Sequence, residues 1–376
     1  FLRYIFLKSI AFICNYSWVG MSTSVINSAI FWESRGYFVD VYCEKPDIIQ
    51  FPLPVFKNKN ISFIISDIDK KSIISDFYFR KNNFKTEPYE FIVGVDFKGI
   101  IRAFIVSVFK KSKIIYHSLE FFEPEKLSIK NLVYKTFEII VATKSKYIFT
   151  QDQSRLRFLQ YNLFQSKNKF KIIYNTPIGG VIKEKTNYFR DLFKIDKEKK
   201  IVLAVGSLIK EHCIIQLVNS LSSWDEKFVL VVHGWFPDEQ IKTLITRKMR
   251  KYPSRLFLST FYFNDSEKYI PYKACDIGFV GFEPMNNNLK YAAGSAGKLF
   301  DFMRCGIPIL AFNTPGMIEI IEEREVGICF NTPKEINNAL NLILENHTKF
   351  KNNCFESFPN FEFMQQYKKV YDSLIN

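Results

Sequence analysis

Short apolar runs rich in β-branched and aromatic residues alternate with segments of helical period along this chain, and they do so twice in 376 residues. In the first half, residues 8–14, 38–43, 61–65, 91–95, 114–117 and 147–150 read as strands, and residues 22–34, 99–110 and 131–142 as helices. Strands that are apolar on both faces and separated by helices require a parallel sheet covered on both sides. The charged stretch KEKTNYFRDLFKIDKEKK, residues 183–200, then interrupts the pattern and reads as an interdomain linker. Alternation restarts beyond it, with strands expected at 201–205, 228–233, 256–259, 277–280 and 308–311. Helices are expected there at 214–221, 239–250, 266–274, 298–305, 335–346 and 361–375. The pattern predicts an α/β protein of two consecutive doubly wound domains.

Composition narrows the function classes. Apolar residues make up 47% and charged residues 24%, ordinary globular values that exclude disorder, and no 20–50-residue repeat marks a solenoid or propeller. The seven cysteines are scattered without a Cys-x-x-Cys pair, which argues against a disulfide framework or zinc site and for a reduced, cytosolic compartment. The opening FLRYIFLKSIAFIC has a short apolar stretch and no small-residue cleavage site, so it reads as a buried first strand rather than a signal peptide. No run of about 18 uncharged apolar residues suggests a membrane span.

The net charge of +14 is unevenly spread: residues 1–185 carry 28 basic and 16 acidic side chains, and the remainder 24 and 22. The first domain is therefore expected to face an anionic surface such as the inner face of a membrane, with Lys110, Lys111 and Lys113 as the leading patch. The same lysines are equally suited to stabilising a helix C-terminus through its dipole. No recognition motif for nucleic acid accompanies the basic excess, so nucleic acid is not expected as a partner.

The most informative segment is GSAGKLFDFMRCGIP, residues 294–308. Small residues run directly into a helix whose first N–H groups lack internal partners and lie at the positive end of its dipole. Gly294, Ser295, Ala296, Gly297 and Leu299 would let an anion approach this backbone, Lys298 adds a full positive charge, and Asp301 stands one turn on, where a carboxylate can accept from sugar hydroxyls. These are the parts of a diphosphate cradle with a ribose anchor. A plain Gly/Ser loop before a core helix has the same spelling.

SAGKLFDFMRCGIPILAFNTPGMIEII resembles the donor-site region of GT-B fold glycosyltransferases, particularly glycosyltransferase family 4 and its relatives. IVLAVGSLIKEHC is similar to that family's first donor-domain strand and phosphate-facing turn, and LFLSTFYFNDSEKYIPYKACDIGFV to the strand lining the base. IIYHSLEFF and YIFTQDQSRLRFL resemble acceptor-domain segments. The resemblance implies two Rossmann-like domains with an interdomain cleft: residues 1–185 for the acceptor, 186–355 for the donor, and a closing helix, 356–376, packed back on the first. It implies transfer of a sugar from a nucleotide-diphosphate donor, with no further cofactor, to a glycan or lipid-linked glycan, in the cytoplasm or peripherally at the inner membrane face. Two departures stand out. Ala293 replaces the first carboxylate of the family's Glu-x7-Glu pair, whose second position is Asp301. Ser207 and His212 stand where the family often has Arg and Lys, which shifts phosphate neutralisation to Lys298 with Lys210 or His212.

The remaining candidates follow from the same fold. Gly206 joins Ser207 and Lys210 in the phosphate turn. His117 and Glu120, after a first-domain strand, would face the cleft, where His117 can bond the donor sugar or take the acceptor's proton. A lone His after a strand is also a common structural residue. Asp96 has the same standing as a catalytic candidate. Asn288 and Tyr291 would reach the hexose, Tyr262 and Phe261 would pack beside the base, and Glu283 either binds sugar hydroxyls or caps a turn. Thr314-Pro315-Gly316 reads as a helix N-cap with Pro at the first helical position. No Asp-x-Asp appears between strand and turn, so no metal is expected. The alternatives are a nucleotide-sugar-binding subunit without activity and a nucleotide-sugar epimerase of the same fold.

Overall fold

The computed structural model describes residues 8–46, 52–56, 60–66, 88–123 and 128–375. The chain divides into two compact units, residues 1–175 with 366–376 and residues 176–365. Each holds one sheet whose strands all pair in parallel.

In the first unit the strands are β1 (Ser9–Ile13), β2 (Phe38–Glu44), β3 (Ile61–Ser66), β4 (Phe91–Val95), β5 (Lys113–His117), β6 (Tyr147–Thr150) and β7 (Phe170–Ile172), in the order β3-β2-β1-β4-β5-β6-β7. In the second they are β8 (Lys200–Ser207), β9 (Phe228–Trp235), β10 (Leu256–Ser259), β11 (Ile277–Val280), β12 (Ile309–Phe312) and β13 (Gly327–Phe330), in the order β10-β9-β8-β11-β12-β13. Both orders reverse direction after their first strand, the signature of the doubly wound Rossmann-like fold. Strands β4, β8 and β11 are buried almost throughout because helices cover both faces, as their unbroken apolar spelling requires.

The boundaries differ from the sequence expectation. The units separate at residue 175 rather than 185, because the expected linker is part of the second unit. Within it the helix Tyr188–Phe193 forms, anchored by the fully buried Phe189, whose ring lies 5.8 Å from that of His233. Ile182 N–H donates to the Arg304 carbonyl at 2.9 Å, and Thr186 N–H to that of Lys273 at 3.2 Å. At the other end the chain returns to the first unit at 366, beyond the expected 356, inside the helix Phe363–Ile375. Trp32 Nε1 donates to Tyr367 Oη at 2.9 Å, and Gln366 exchanges two hydrogen bonds with the Tyr174 backbone at 2.8 and 3.0 Å.

Other local expectations shift as well. The helix after β4 begins at Asp96 rather than 99, and the helix expected over 266–274 shortens to Ile270–Lys273, with Pro271 in its first turn. Thr314 is not an N-cap. The helix Met317–Ile321 starts from Gly316 at φ 89°, and the Thr314 hydroxyl is buried without a hydrogen-bond partner. Residues 1–7, part of the expected first strand's lead-in, lie outside the described residues. Among the described residues, no helix is long and apolar enough to cross a membrane.

Closure of the first unit by the terminal helix has a direct test. Tyr367→Phe removes the acceptor of the buried Trp32 indole N–H, which should destabilise the first unit by about 1–3 kcal/mol. Urea denaturation followed by tryptophan fluorescence reads this, and an unchanged midpoint would show that the bond contributes nothing.

Candidate functional site

The second unit's sheet reverses between β8 and β11, so the loops that leave their carboxyl ends diverge and leave room outside the sheet edge. The last residues of β8 are shaped for a close approach. Gly206 has φ 109° and pairs with Gly234 of β9 at φ 150°, and a Cβ on Gly234 would fall 1.9 Å from the Gly206 carbonyl oxygen. Only glycine fits both conformation and spacing. The chain then makes the short turn Lys210–His212, closed by a 2.7 Å bond between His212 Nδ1 and the Ser207 carbonyl. Glu283 N–H donates to the Glu211 carbonyl at 2.8 Å, tying the loop after β11 to the loop after β8. The imidazole of His212 meets the Phe282 ring edge-on at 5.2 Å.

Lys298 enters this corner from the helix Gly297–Arg304. Its ammonium stands 5.7 Å from the Phe282 ring centroid, and a Cβ on Gly206 would lie 3.9 Å from Nζ. No carboxylate among the described residues pairs with it, and burial lowers its pKa to about 8. Burial, helped by the Lys298 charge, lowers His212 to about 4, so the imidazole is neutral at pH 7. Burial, with Glu283 nearby, likewise pushes the Cys213 thiol up to about 12. The N-cap Ala296 offers no side-chain acceptor to the first turn of the helix. A cation without a counter-ion beside an uncapped helix start is a local excess of positive potential.

The structure therefore brings Gly206, Ser207, His212, Gly297 and Lys298 together, with the short helical turn Ala293–Ser295 leading into the helix. Lys210 is exposed at the tip of its turn. Tyr262 is exposed in the loop after β10, two strands from β8. Asn288 lies in the short helix Asn287–Lys290, and Tyr291 follows it under the Lys290 ammonium. Leu299 is fully buried and contributes packing.

Asp301 is not the open carboxylate expected. It is 4% exposed, and it accepts from Lys268 Nζ at 3.1 Å and Tyr269 Oη at 3.0 Å. Arg304 donates to the same Tyr269 oxygen at 2.7 Å and to the Gly180 carbonyl at 2.8 Å. The carboxylate expected to hold ribose is thus engaged inside the unit. Sequence reading missed Phe282, Cys213, Lys268 and Tyr269. The partners of Asp301 lie 33 and 32 residues earlier, a separation that leaves no local signal.

In the first unit, His117 ends β5 and is fully buried, with both ring nitrogens unpartnered. Burial lowers its pKa to about 4. The buried hydroxyls of Ser118 and Thr150 are also without partners, at the ends of β5 and β6. Asp96 is a positioning residue here. At φ 57° it accepts from the N–H groups of Leu119 and Glu120 at 2.7 and 2.8 Å, fixing the loop after His117. Its burial raises the carboxyl to about 7. Arg155, also buried, braces the same loop through the Leu119 carbonyl, with its guanidinium 4.4 Å above the Phe121 ring. Glu120 is exposed.

Two Rossmann-like units, each reversing at its first strand, define the GT-B class of glycosyltransferase folds, and comparison with known proteins agrees. HepE of Anabaena, solved in complex with UDP, superposes with a TM-score of 0.72 at 14% identity, covering 98% of this chain and 99% of that one. Sucrose-phosphate synthase of Thermosynechococcus elongatus gives 0.71 at 14% identity, covering 98% and 99%. Residues 186–357 match the family described as Glycosyl transferases group 1. The chain thus has the GT-B fold, and most of its second unit matches the group 1 glycosyltransferase family. The chitobiosyldiphosphodolichol beta-mannosyltransferase of Debaryomyces hansenii is 21% identical over 321 residues, which cover 76% of this chain and 66% of that one. The chain spans just under two thirds of that relative's length.

A half-buried cation with no carboxylate partner among the described residues lowers stability, and an anionic ligand would relieve it. Lys298→Met should therefore raise the stability of the second unit by about 1 kcal/mol at pH 7. In the wild type the folded-state pKa is depressed, so the unfolded chain binds more protons and stability should rise as pH climbs from about 8 towards about 10.5. Thermal melts of both proteins across that window check the sign, and a destabilised Lys298→Met would show that the ammonium has a protein partner.

Proposed function

We propose that the chain transfers a sugar from a nucleotide-diphosphate donor to a glycan acceptor, in glycoconjugate biosynthesis. The observation that carries this reading is the Lys298 ammonium, unpaired beside the Gly206 turn and the uncapped helix start. Breaking the anomeric C–O bond leaves negative charge on the β-phosphate. Preorganised positive groups accelerate the step because they bind that charge more strongly in the transition state than in the ground state. Ser207, Gly294, Ser295, Ala296 and Gly297 offer backbone to the diphosphate in this reading, and Lys298 the charge. HepE of Anabaena has been solved with UDP-glucose, which supports a nucleotide sugar as donor, and the Debaryomyces hansenii relative is named a mannosyltransferase, which supports transfer of a sugar.

His117 is the group we assign to the acceptor side. It is neutral at pH 7 with both nitrogens available, so it can accept a proton from a hydroxyl or bond one. The acceptor in this proposal is a glycan carried on a lipid, which suits the basic first half of the chain at an anionic membrane face. The second reading, a binding subunit without turnover, draws on Ala293, which is buried where the family carries a carboxylate.

Three measurements test the proposal. Nucleoside diphosphates should raise the melting temperature of the second unit, and Lys298→Ala should weaken their binding about 10- to 100-fold, the loss of one charge-assisted contact worth about 1.5–3 kcal/mol. Affinity should also fall as pH rises past about 8, where the free ammonium deprotonates, and that fall should vanish in Lys298→Ala. Calorimetry that finds no nucleotide binding at any pH would overturn the donor site; binding without turnover of any sugar nucleotide would favour the binding subunit. Transfer should persist in excess EDTA, since Lys298 and the helix start supply the leaving-group stabilisation and Asp301 is already engaged. Loss of turnover with chelator, restored by magnesium or manganese, would assign that stabilisation to a metal instead.

A further inference from the structure

We infer that the outward face of the helix Ile129–Lys144 in the first unit is a docking surface for an anionic lipid bilayer. The helix packs inward through Glu138, Val141 and Ala142. Its other face exposes Ile129 at 85%, Leu132 at 65%, Val133 at 43%, Phe137 at 42% and Ile140 at 45%. These positions recur at three- and four-residue steps, so they form one stripe along the helix, about 17 Å long at about 1.5 Å per residue. Scattered exposed apolar residues need no explanation, but five on one face of one helix do.

The polar chemistry of the same face is unusual. Thr136 and Thr143 turn their hydroxyls back to the helix's own Leu132 and Ile139 carbonyls, each at 2.9 Å, so neither asks for water. The helix's one acidic residue, Glu138, is withdrawn into the unit, where it accepts from Tyr116 Oη at 2.6 Å and Lys135 Nζ at 2.7 Å. The charges left outside are Lys130 and Lys144, one at each end of the stripe. The helix Asp96–Lys110 packs beside it and exposes Val108, and the exposed Lys111 and Lys113 follow. An apolar stripe flanked, among the described residues of this helix, by exposed lysines matches the interface of an anionic bilayer, where acyl chains meet the stripe and headgroups meet the lysines. Among the described residues no carboxylate is exposed along this face, so a basic protein partner would find no counter-charge on it. The inference deepens the proposed use of a lipid-linked acceptor, but it does not depend on turnover.

Sedimentation of the full chain with sucrose-loaded vesicles tests it. The wild type should pellet with phosphatidylcholine vesicles containing about one third phosphatidylglycerol, less so as salt rises, and poorly with phosphatidylcholine alone. Leu132→Ser/Phe137→Ser should weaken partitioning about tenfold or more. Lys130→Glu/Lys144→Glu should remove the preference for anionic lipid. All four positions are at the surface, so circular dichroism and the nucleotide-induced thermal shift should be unchanged. Vesicle binding that is absent in the wild type, or equal in the wild type and the serine variant, would overturn the inference. So would a wild-type dimer that the serine variant dissolves while vesicles bind neither, which would make the face a contact between copies. Failure of glycosyl transfer with vesicle binding intact would count against the proposed activity alone.

Discussion

Everything placed at the candidate donor site depends on the position of β8 in its sheet. The chain leaves β8 towards β9 and β10 on one side and later returns as β11, β12 and β13 on the other. Because every pair is parallel, all carboxyl ends lie along one edge, and the reversal at β8 makes adjacent loops diverge there. Gly206, the Phe282–Glu283 loop and Thr314 therefore share that edge although they are dispersed along the chain. The first unit repeats the device around β1 and β4. Asp96 follows β4, His117 ends β5, and the two are joined through the loop that Asp96 holds.

The strands were the most legible part of the chain because a parallel strand covered on both faces leaves a continuous apolar run in the sequence. Residues 91–95, 147–150, 256–259 and 277–280 fall at the expected limits. The domain boundary was not legible, because residues 183–200 look solvated by composition while Phe189 pins them into the second unit. Short helices without strong period, such as Asn287–Lys290, were missed, and the Thr-Pro-Gly before the helix Met317–Ile321 was misread as its cap. The left-handed Gly316 starts it, and no side chain caps it. At the donor site, the GSAGK spelling located the helix start and Lys298, whereas the engagement of Asp301 depends on contacts that only the folded chain creates.

Two of the three charged side chains of that helix, Asp301 and Lys298, are set in opposite ways. Asp301 has a lysine and a tyrosine hydroxyl on its carboxylate, and Arg304 braces that tyrosine, so removing one partner would strand a buried charge. Glu138 in the first unit follows the same rule with Lys135 and Tyr116. Lys298 does not. Its neighbours are the Phe282 ring and a neutral imidazole, and its depressed pKa records the cost of that setting. Unlike Asp301 and Glu138, Lys298 has no partner of opposite charge among the described residues, and on the proposed reading an anion supplies it at the edge where the sheet opens.

On the proposed reading, the neutrality of His212 sets how strongly the diphosphate is held. Ser207 and His212 occupy positions where related donor domains often carry permanent cations, and at pH 7 neither contributes a charge. On the proposed reading one ammonium and the helix start bind the diphosphate without a second cation. Protonating His212 would add that charge, but its pKa near 4 places the change well outside neutral conditions, and the bond from Nδ1 to the Ser207 carbonyl keeps the ring serving the turn. On that reading His212 shapes the turn through its bond to the Ser207 carbonyl, and Lys298 supplies the charge. Replacing the imidazole would change the turn's geometry, whereas replacing the lysine would change its electrostatics, so the two residues contribute to the site by separable routes.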